Sequence, residues 1–213
     1  RPSMVVLANR INRVMAESGD DPAAVESAAI TEIERAESAD TRAADALESW
    51  LDGARVGTLS RSGTVVQALR RGEPEAVLLA ESRPGREGVD VAEELAAEMP
   101  VTLTTDAAFP GQLRSWDADL LLVGVDAVLP DGAVRNKVGT HPAAAVAAQS
   151  DIPVVVVTAV DKISPADSDH SEPRSGAELY DGDEPINLVN PTFERTPPTL
   201  IDAYVTDRGD LSA

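Results

Sequence analysis

Apolar residues recur at helical spacing from Ser3 to about Trp50. Met4, Leu7, Ile11, Val14 and Met15 make one stripe, and Val25, Ala28, Ala29, Ile33 and Ala36 make a weaker one. The Gly19-Asp20-Asp21-Pro22 segment breaks them, so the pattern predicts two helices, the second an exposed amphipathic helix reaching towards Leu51. Beyond Gly53 the rhythm changes. Short apolar runs at Arg55–Leu59, Ala76–Ala80, Val101–Thr105, Leu120–Val123 and Val154–Thr158 are separated by helical patterns that include Gly63–Arg71, Val89–Glu98 and Pro142–Gln149, the βαβ signature of a parallel sheet. The run Val154-Val155-Val156-Val157 shows no polar alternation, as expected of a strand covered on both faces. The expected fold is α/β: a Rossmann-like parallel sheet with helices on both faces over residues 53–213, preceded by an N-terminal helical segment over residues 1–52. Ser164 to Pro191 is rich in Asp, Ser, Glu, Pro and Gly and reads as a surface excursion, with His170 a solvent-exposed side chain in it. Phe193 to Val205 regains Leu200, Ile201, Tyr204 and Val205 and is expected to dock back onto the domain.

Composition narrows this picture. A chain of 213 residues with 43% apolar content suits one large α/β domain or a domain with a helical appendage, and only 3% aromatics leaves the core to Val, Leu, Ile and Ala. Acidic residues number 37 against 18 basic ones, a net charge of −19, and the only lysines are Lys137 and Lys162. Such a surface argues against direct nucleic-acid binding, which needs a basic patch. It reads as a solvation adaptation to a salt-rich cytoplasm, the alternative being an acidic docking surface for a basic partner. Cysteine is absent, so there is no disulfide framework and no thiolate for catalysis or zinc; neither a metal nor a cofactor is expected. No apolar stretch is long enough to span a membrane, and Arg1 to Arg13 is too short and too polar for a signal peptide, so a cytoplasmic location is expected. A chain that opens on Arg1 rather than methionine reads as a fragment or a processed product.

In an open α/β sheet the chemistry belongs just after the strands, at their carboxyl ends. After the first strand comes Ser60-Arg61-Ser62-Gly63-Thr64, a small-residue turn opening a helix whose free N–H groups could hold a phosphate, with Arg61 adding charge; an ordinary capped βα loop has the same look. After the second comes Glu81-Ser82-Arg83-Pro84-Gly85-Arg86. Arg83 and Arg86 can grip a phosphate through planar forks, or Arg83 can pair internally with Glu81 or Asp106. The fourth strand runs into Gly124-Val125-Asp126-Ala127-Val128, followed by Arg135-Asn136-Lys137-Val138-Gly139-Thr140. There a carboxylate at a strand end, with Asn136 and Lys137 on a Gly-flanked turn, could hold sugar hydroxyls and phosphate or shuttle a proton; a salt-bridged loop is the alternative. Lysine kept at position 137 in a lysine-poor chain weighs against that alternative.

These segments, with Pro2-Ser3-Met4 and Asn190-Pro191-Thr192-Phe193-Glu194 followed by Thr196-Pro197-Pro198, resemble the initiation-factor-2B-like family over nearly the whole chain. That family contains regulatory subunits of translation initiation factor 2B and two isomerases, of methylthioribose 1-phosphate and ribose 1,5-bisphosphate. The lysine-poor, acid-rich composition also resembles haloarchaeal proteins. In the isomerases a cysteine after the first strand and an aspartate after the fourth act on the sugar; the resemblance puts Asp126 on the aspartate, Asn136 and Lys137 on substrate-binding positions, and Ser60 where the cysteine would be. A serine hydroxyl is a far weaker acid than a thiol of pKa about 8.5. The isomerases also carry an Arg-Gly segment that helps close the site, and none is found ahead of Pro2. The expectation is therefore a non-catalytic regulatory protein that senses a phosphorylated sugar or nucleotide. Asp126 and Ser60 stand at the catalytic positions, and Arg61, Ser62, Gly63, Arg83, Arg86, Asn136 and Lys137 are the ligand-binding set. The alternative is a ribose-1,5-bisphosphate isomerase, with Asp126 handling the proton and Ser60 only a hydrogen-bond donor. A homodimer or higher homo-oligomer, and a translation-factor partner, follow from the resemblance alone.

Overall fold

The computed structural model describes residues 5–166, 172 and 174–211, so Pro2-Ser3-Met4 and His170 lie outside the described residues. Two helices open it, α1 (Val5–Ser18) and α2 (Pro22–Asp45). Gly19 ends the first at φ 59°, and Asp21 caps the second by accepting the Ala24 N–H at 3.3 Å, while Pro22 stands where a missing N–H is harmless. Then follow α3 (Glu48–Leu51), β1 (Arg55–Thr58), α4 (Gly63–Arg71), β2 (Ala76–Ala80), α5 (Glu87–Leu95), β3 (Val101–Thr104), α6 (Phe109–Ser115) and β4 (Leu120–Val123). The chain continues through β5 (Ala127–Val128), β6 (Val134–Lys137), α7 (Thr140–Gln149), β7 (Val154–Thr158), β8 (Phe193–Thr196), β9 (Ala203–Thr206) and β10 (Gly209–Leu211).

The main sheet has the order β10-β9-β7-β4-β1-β2-β3, parallel throughout except for the β10–β9 pair. Its two faces build two cores, because successive side chains of a strand point opposite ways. Val56, Val77, Leu79, Leu120, Leu122, Val155 and Val157 meet Ala43, Leu47 and Leu51 at the end of the N-terminal segment, together with residues of α4 and α5. Leu78, Leu121, Val123, Val154 and Val156 meet Phe109 and Leu113 of α6 and Ala143, Ala144 and Ala147 of α7 on the other face. Helices on both faces explain the unbroken valine run of β7. On the outer side of α1 and α2, Leu7, Ile11, Met15, Ile30 and Ile33 remain exposed. Among the described residues no helix is long and apolar enough to cross a membrane.

A second sheet, β5-β6-β8, is antiparallel and corrects one expectation. Asn136 and Lys137, expected on a turn, sit within β6, whose partner strand β8 comes from far along the chain and pairs Asn136 with Glu194 and Lys137 with Phe193. A strand made by so distant a partner has no local sequence signature. Tyr204 on β9 ties this sheet to the main one by donating its hydroxyl to the Gly132 carbonyl, in the turn between β5 and β6. Burial, helped by the negative charge of Asp131, pushes the Tyr204 phenol up to about 12. A raised value means the folded state favours the neutral phenol. That contribution is complete below the unfolded value of about 10 and is lost as pH rises through the folded value. Tyr204→Phe is therefore expected to flatten the alkaline fall in stability over that window, measured as urea midpoints against pH.

The helices α1 and α2 dock through two carboxylates, Glu32, which is buried, and Asp161, which is largely so. Asp161, in the 3-10 turn Val160–Lys162, meets Arg10 at 3.2 Å and Arg13 at 2.5 Å, and Asn9 donates to its backbone carbonyl at 2.8 Å. Glu32 of α2 is reached by Arg13 at 3.4 Å and Arg35 at 3.3 Å. Burial pushes the Asp161 carboxyl up, but hydrogen bonds and charge from Arg13 and Arg10 outweigh it and hold it below the ordinary aspartate range. Its contribution is thus present above the unfolded value of about 3.9 and is lost as pH falls through the folded one. Asp161→Asn should cost about 1–3 kcal/mol at neutral pH, read as a shift in urea midpoint, and should blunt the acid-side loss of stability.

Candidate functional site

Strand order locates the site. From β1 the chain winds to β2 and β3 on one side and then returns to β4 on the other, so the crevice opens beyond the carboxyl ends of β1 and β4. A cavity of about 140 Å³ lies there, lined by Leu59 to Gly63 after β1, Gly124, Val125 and Asp126 after β4, Asn136 on β6, and Lys162 after β7.

The turn after β1 is held under strain. Ser60 lies at φ 63°, a left-handed conformation that costs a residue with a side chain about 1–2 kcal/mol. Its N–H donates to Ser82 Oγ at 2.7 Å, fixing it to the end of β2. Ser82, itself at φ 66°, donates its N–H to Asp106 at 2.7 Å, and the Arg83 N–H reaches the other carboxylate oxygen at 2.6 Å. Three strand ends are thereby laced together, which keeps Ser60 facing the cavity. Ser62 caps α4 by accepting the Val65 N–H at 3.4 Å, leaving the opening turn of that helix towards the cavity as a place for an anion. Gly124 is small for a reason: a Cβ there would overlap Oγ and Cβ of Ser62.

Lys162 lines this cavity as a cation, and the candidate ligand-binding set omits it. Its ammonium donates to the Val125 carbonyl at 2.8 Å, beside Asp126. Burial holds it below the ordinary lysine range, against the opposing pull of the Asp126 and Asp40 charges and with help from Arg10. A signal for it was present in its rarity, since it is one of only two lysines. Asn136 is buried at the cavity wall and donates its amide to Thr140 Oγ1 at 3.0 Å, which donates in turn to the Lys137 carbonyl at 2.7 Å.

Three residues expected at the site do not line it. Lys137 follows Asn136 on β6 and so points from the opposite face, where it meets Glu87 at 2.6 Å and the Pro84 carbonyl. Arg83 and Arg86 are exposed and share Glu81, each at 3.5 Å. Arg61 contributes to the lining, but its guanidinium pairs with Glu94 at 2.8 Å. The Asn190-to-Glu194 segment serves structure: Glu194 accepts the N–H groups of Gly139 at 2.7 Å and His141 at 2.8 Å, closing the start of α7.

The molecule is an α/β protein with a doubly wound sheet, and a lysine, an aspartate and a helix start lie together at its switch point. The chain belongs to the initiation factor 2 subunit family, whose family model matches residues 1–213. It is 37% identical over 157 residues to a ribose 1,5-bisphosphate isomerase of Haloferax volcanii, covering 69% of this chain and 48% of that protein. A protein of the same name from Haloterrigena turkmenica is 31% identical over 243 residues, covering 99% of this chain and 72% of its own. Among solved structures, a translation initiation factor eIF-2B from Pyrococcus horikoshii OT3 superposes with a TM-score of 0.86 at 25% identity, covering 99% of this chain and 76% of that one. The chain thus spans about half the length of the Haloferax volcanii relative.

Proposed function

We propose that the protein is a sugar-phosphate isomerase acting on ribose 1,5-bisphosphate. This replaces the expectation of a non-catalytic regulator, which the two isomerases among its relatives overturn. The observation that carries the reading is the convergence of Asp126, Lys162 and the Ser60 turn on one cavity at the switch point. Converting ribose 1,5-bisphosphate to ribulose 1,5-bisphosphate breaks the bond between C1 and the ring oxygen as that oxygen takes a proton, moves the C2 hydrogen with its bonding pair to C1, and takes the proton of the 2-hydroxyl to leave the C2 carbonyl. Asp126 can give the first proton and accept the last as one carboxyl group, because the proton lent to the ring oxygen is regained from the hydroxyl. Lys162 and the opening turn of α4 bind phosphate, and Asn136 orients a sugar hydroxyl. Ser60 acts as a hydrogen-bond donor to the sugar. Homo-oligomerisation, as the family resemblance implies, belongs to the same proposal.

Incubation with ribose 1,5-bisphosphate, followed by phosphorus NMR, should show ribulose 1,5-bisphosphate accumulating. Binding of the substrate without any turnover would contradict the proposal. Ser60→Cys should raise the rate by about tenfold or more, since it returns a far stronger acid to the position the resemblance gives to cysteine.

A further inference from the structure

Arginines are sparse relative to carboxylates on this chain, yet Arg13, Arg35, Arg42 and Arg208 line a single recess of about 120 Å³. They come from three places: Arg13 from α1, Arg35 and Arg42 from one face of α2 on either side of Ala39, and Arg208 from the turn between β9 and β10. Asp161 and Asp207 also line the recess, and as anions they would oppose another anion there. Their side chains, however, are only 11% and 5% exposed, while those of Arg35 and Arg42 are 46% and 51% exposed. The carboxylates form the floor and the guanidinium groups the rim. Asp161 holds Arg13 at 2.5 Å and Asp207 holds Arg42 at 3.5 Å, which orders the rim for a guest. Arg208 is exposed and forms no ion pair among the described residues. Among the described residues, with Arg10, Glu17 and Glu32 also counted, five guanidinium groups still face four carboxylates.

We propose that this recess is a second anion site, which takes the phosphate group of a small phosphorylated ligand. Its volume is that of about four waters, which suits one phosphate group, and the rest of the ligand would lie outside along the exposed arginines. Planar guanidinium forks suit phosphate oxygens and hold them in two parallel bonds. The site shares no lining residue with the switch-point cavity, although the turn Val160–Lys162 places Asp161 in the one and Lys162 in the other.

Inorganic phosphate is the probe, titrated calorimetrically into the protein at fixed chloride. Two binding events are expected. The double variant Arg42→Gln/Arg208→Gln should lose one of them, weakened by about tenfold or more, and keep the other, whereas Lys162→Met should do the reverse. The single variant Arg208→Gln, at an exposed side chain with no ion pair among the described residues, guards against loss through misfolding and should weaken the same event. If the double variant binds phosphate as the wild type does, or if Lys162→Met abolishes all binding, the recess is not a site. Failure of the isomerase reading would remove only the event that depends on Lys162.

Discussion

Asp126→Asn is expected to lower the turnover of ribose 1,5-bisphosphate by about 10²- to 10⁴-fold, the usual worth of a positioned acid–base group, with little change in KM. The carboxyl emerges directly from the end of β4 into the cavity, where the backbone N–H of Asp126 donates to the Arg135 carbonyl at 3.0 Å. That bond to the partner strand fixes where the side chain starts, so the amide should occupy the same place and keep the same size. It cannot carry a proton from the 2-hydroxyl to the ring oxygen. Substrate binding should therefore survive while chemistry fails. An Asn variant that turns over at the wild-type rate would show that another group moves the proton.

The second large effect belongs to Lys162. Lys162→Met should raise KM by about 10- to 100-fold, the loss of one charge-assisted hydrogen bond to phosphate, and should change kcat less. The sign of its pH dependence follows from its surroundings. Because burial disfavours the ammonium, Lys162 loses its proton below the ordinary lysine value of about 10.4, so substrate binding should weaken on the alkaline side earlier than an exposed lysine would allow. Lys162→Arg keeps the charge across this range and should remove that limb from the profile of KM against pH. If Met at 162 leaves KM unchanged, phosphate is held elsewhere.

Periodicity made the main sheet legible. Strands β2, β4 and β7 are short, almost wholly apolar runs, and α4 starts at a serine cap followed by glycine, a local signal that needs no tertiary information. The second sheet was not legible, because β6 reads Val-Arg-Asn-Lys and acquires its strand character only by pairing with β8. The same fact explains the site. Chain order placed Asn136 and Lys137 side by side as ligand residues, but neighbours on a strand face opposite ways, so one reaches the cavity and the other goes to Glu87. Arg83 and Arg86 looked like phosphate ligands by type and by position at a strand end, and Glu81, two residues before Arg83, claims both. Lys162 stood out in the sequence only as one of two lysines, because β7 leads into a three-residue 3-10 turn that aims it back across Val125, and that turn leaves no motif. The −19 charge was visible from composition, but the gathering of arginines from α1, α2 and the β9–β10 turn appears only once those elements are packed.

Crystals of the protein soaked with ribulose 1,5-bisphosphate give the most direct test of the central claim. The ligand should lie beyond the carboxyl ends of β1 and β4, with a phosphate oxygen within hydrogen-bond distance of Lys162 Nζ and the C2 oxygen against the Asp126 carboxylate. A ligand bound at full occupancy elsewhere, with that cavity holding only solvent, would contradict it.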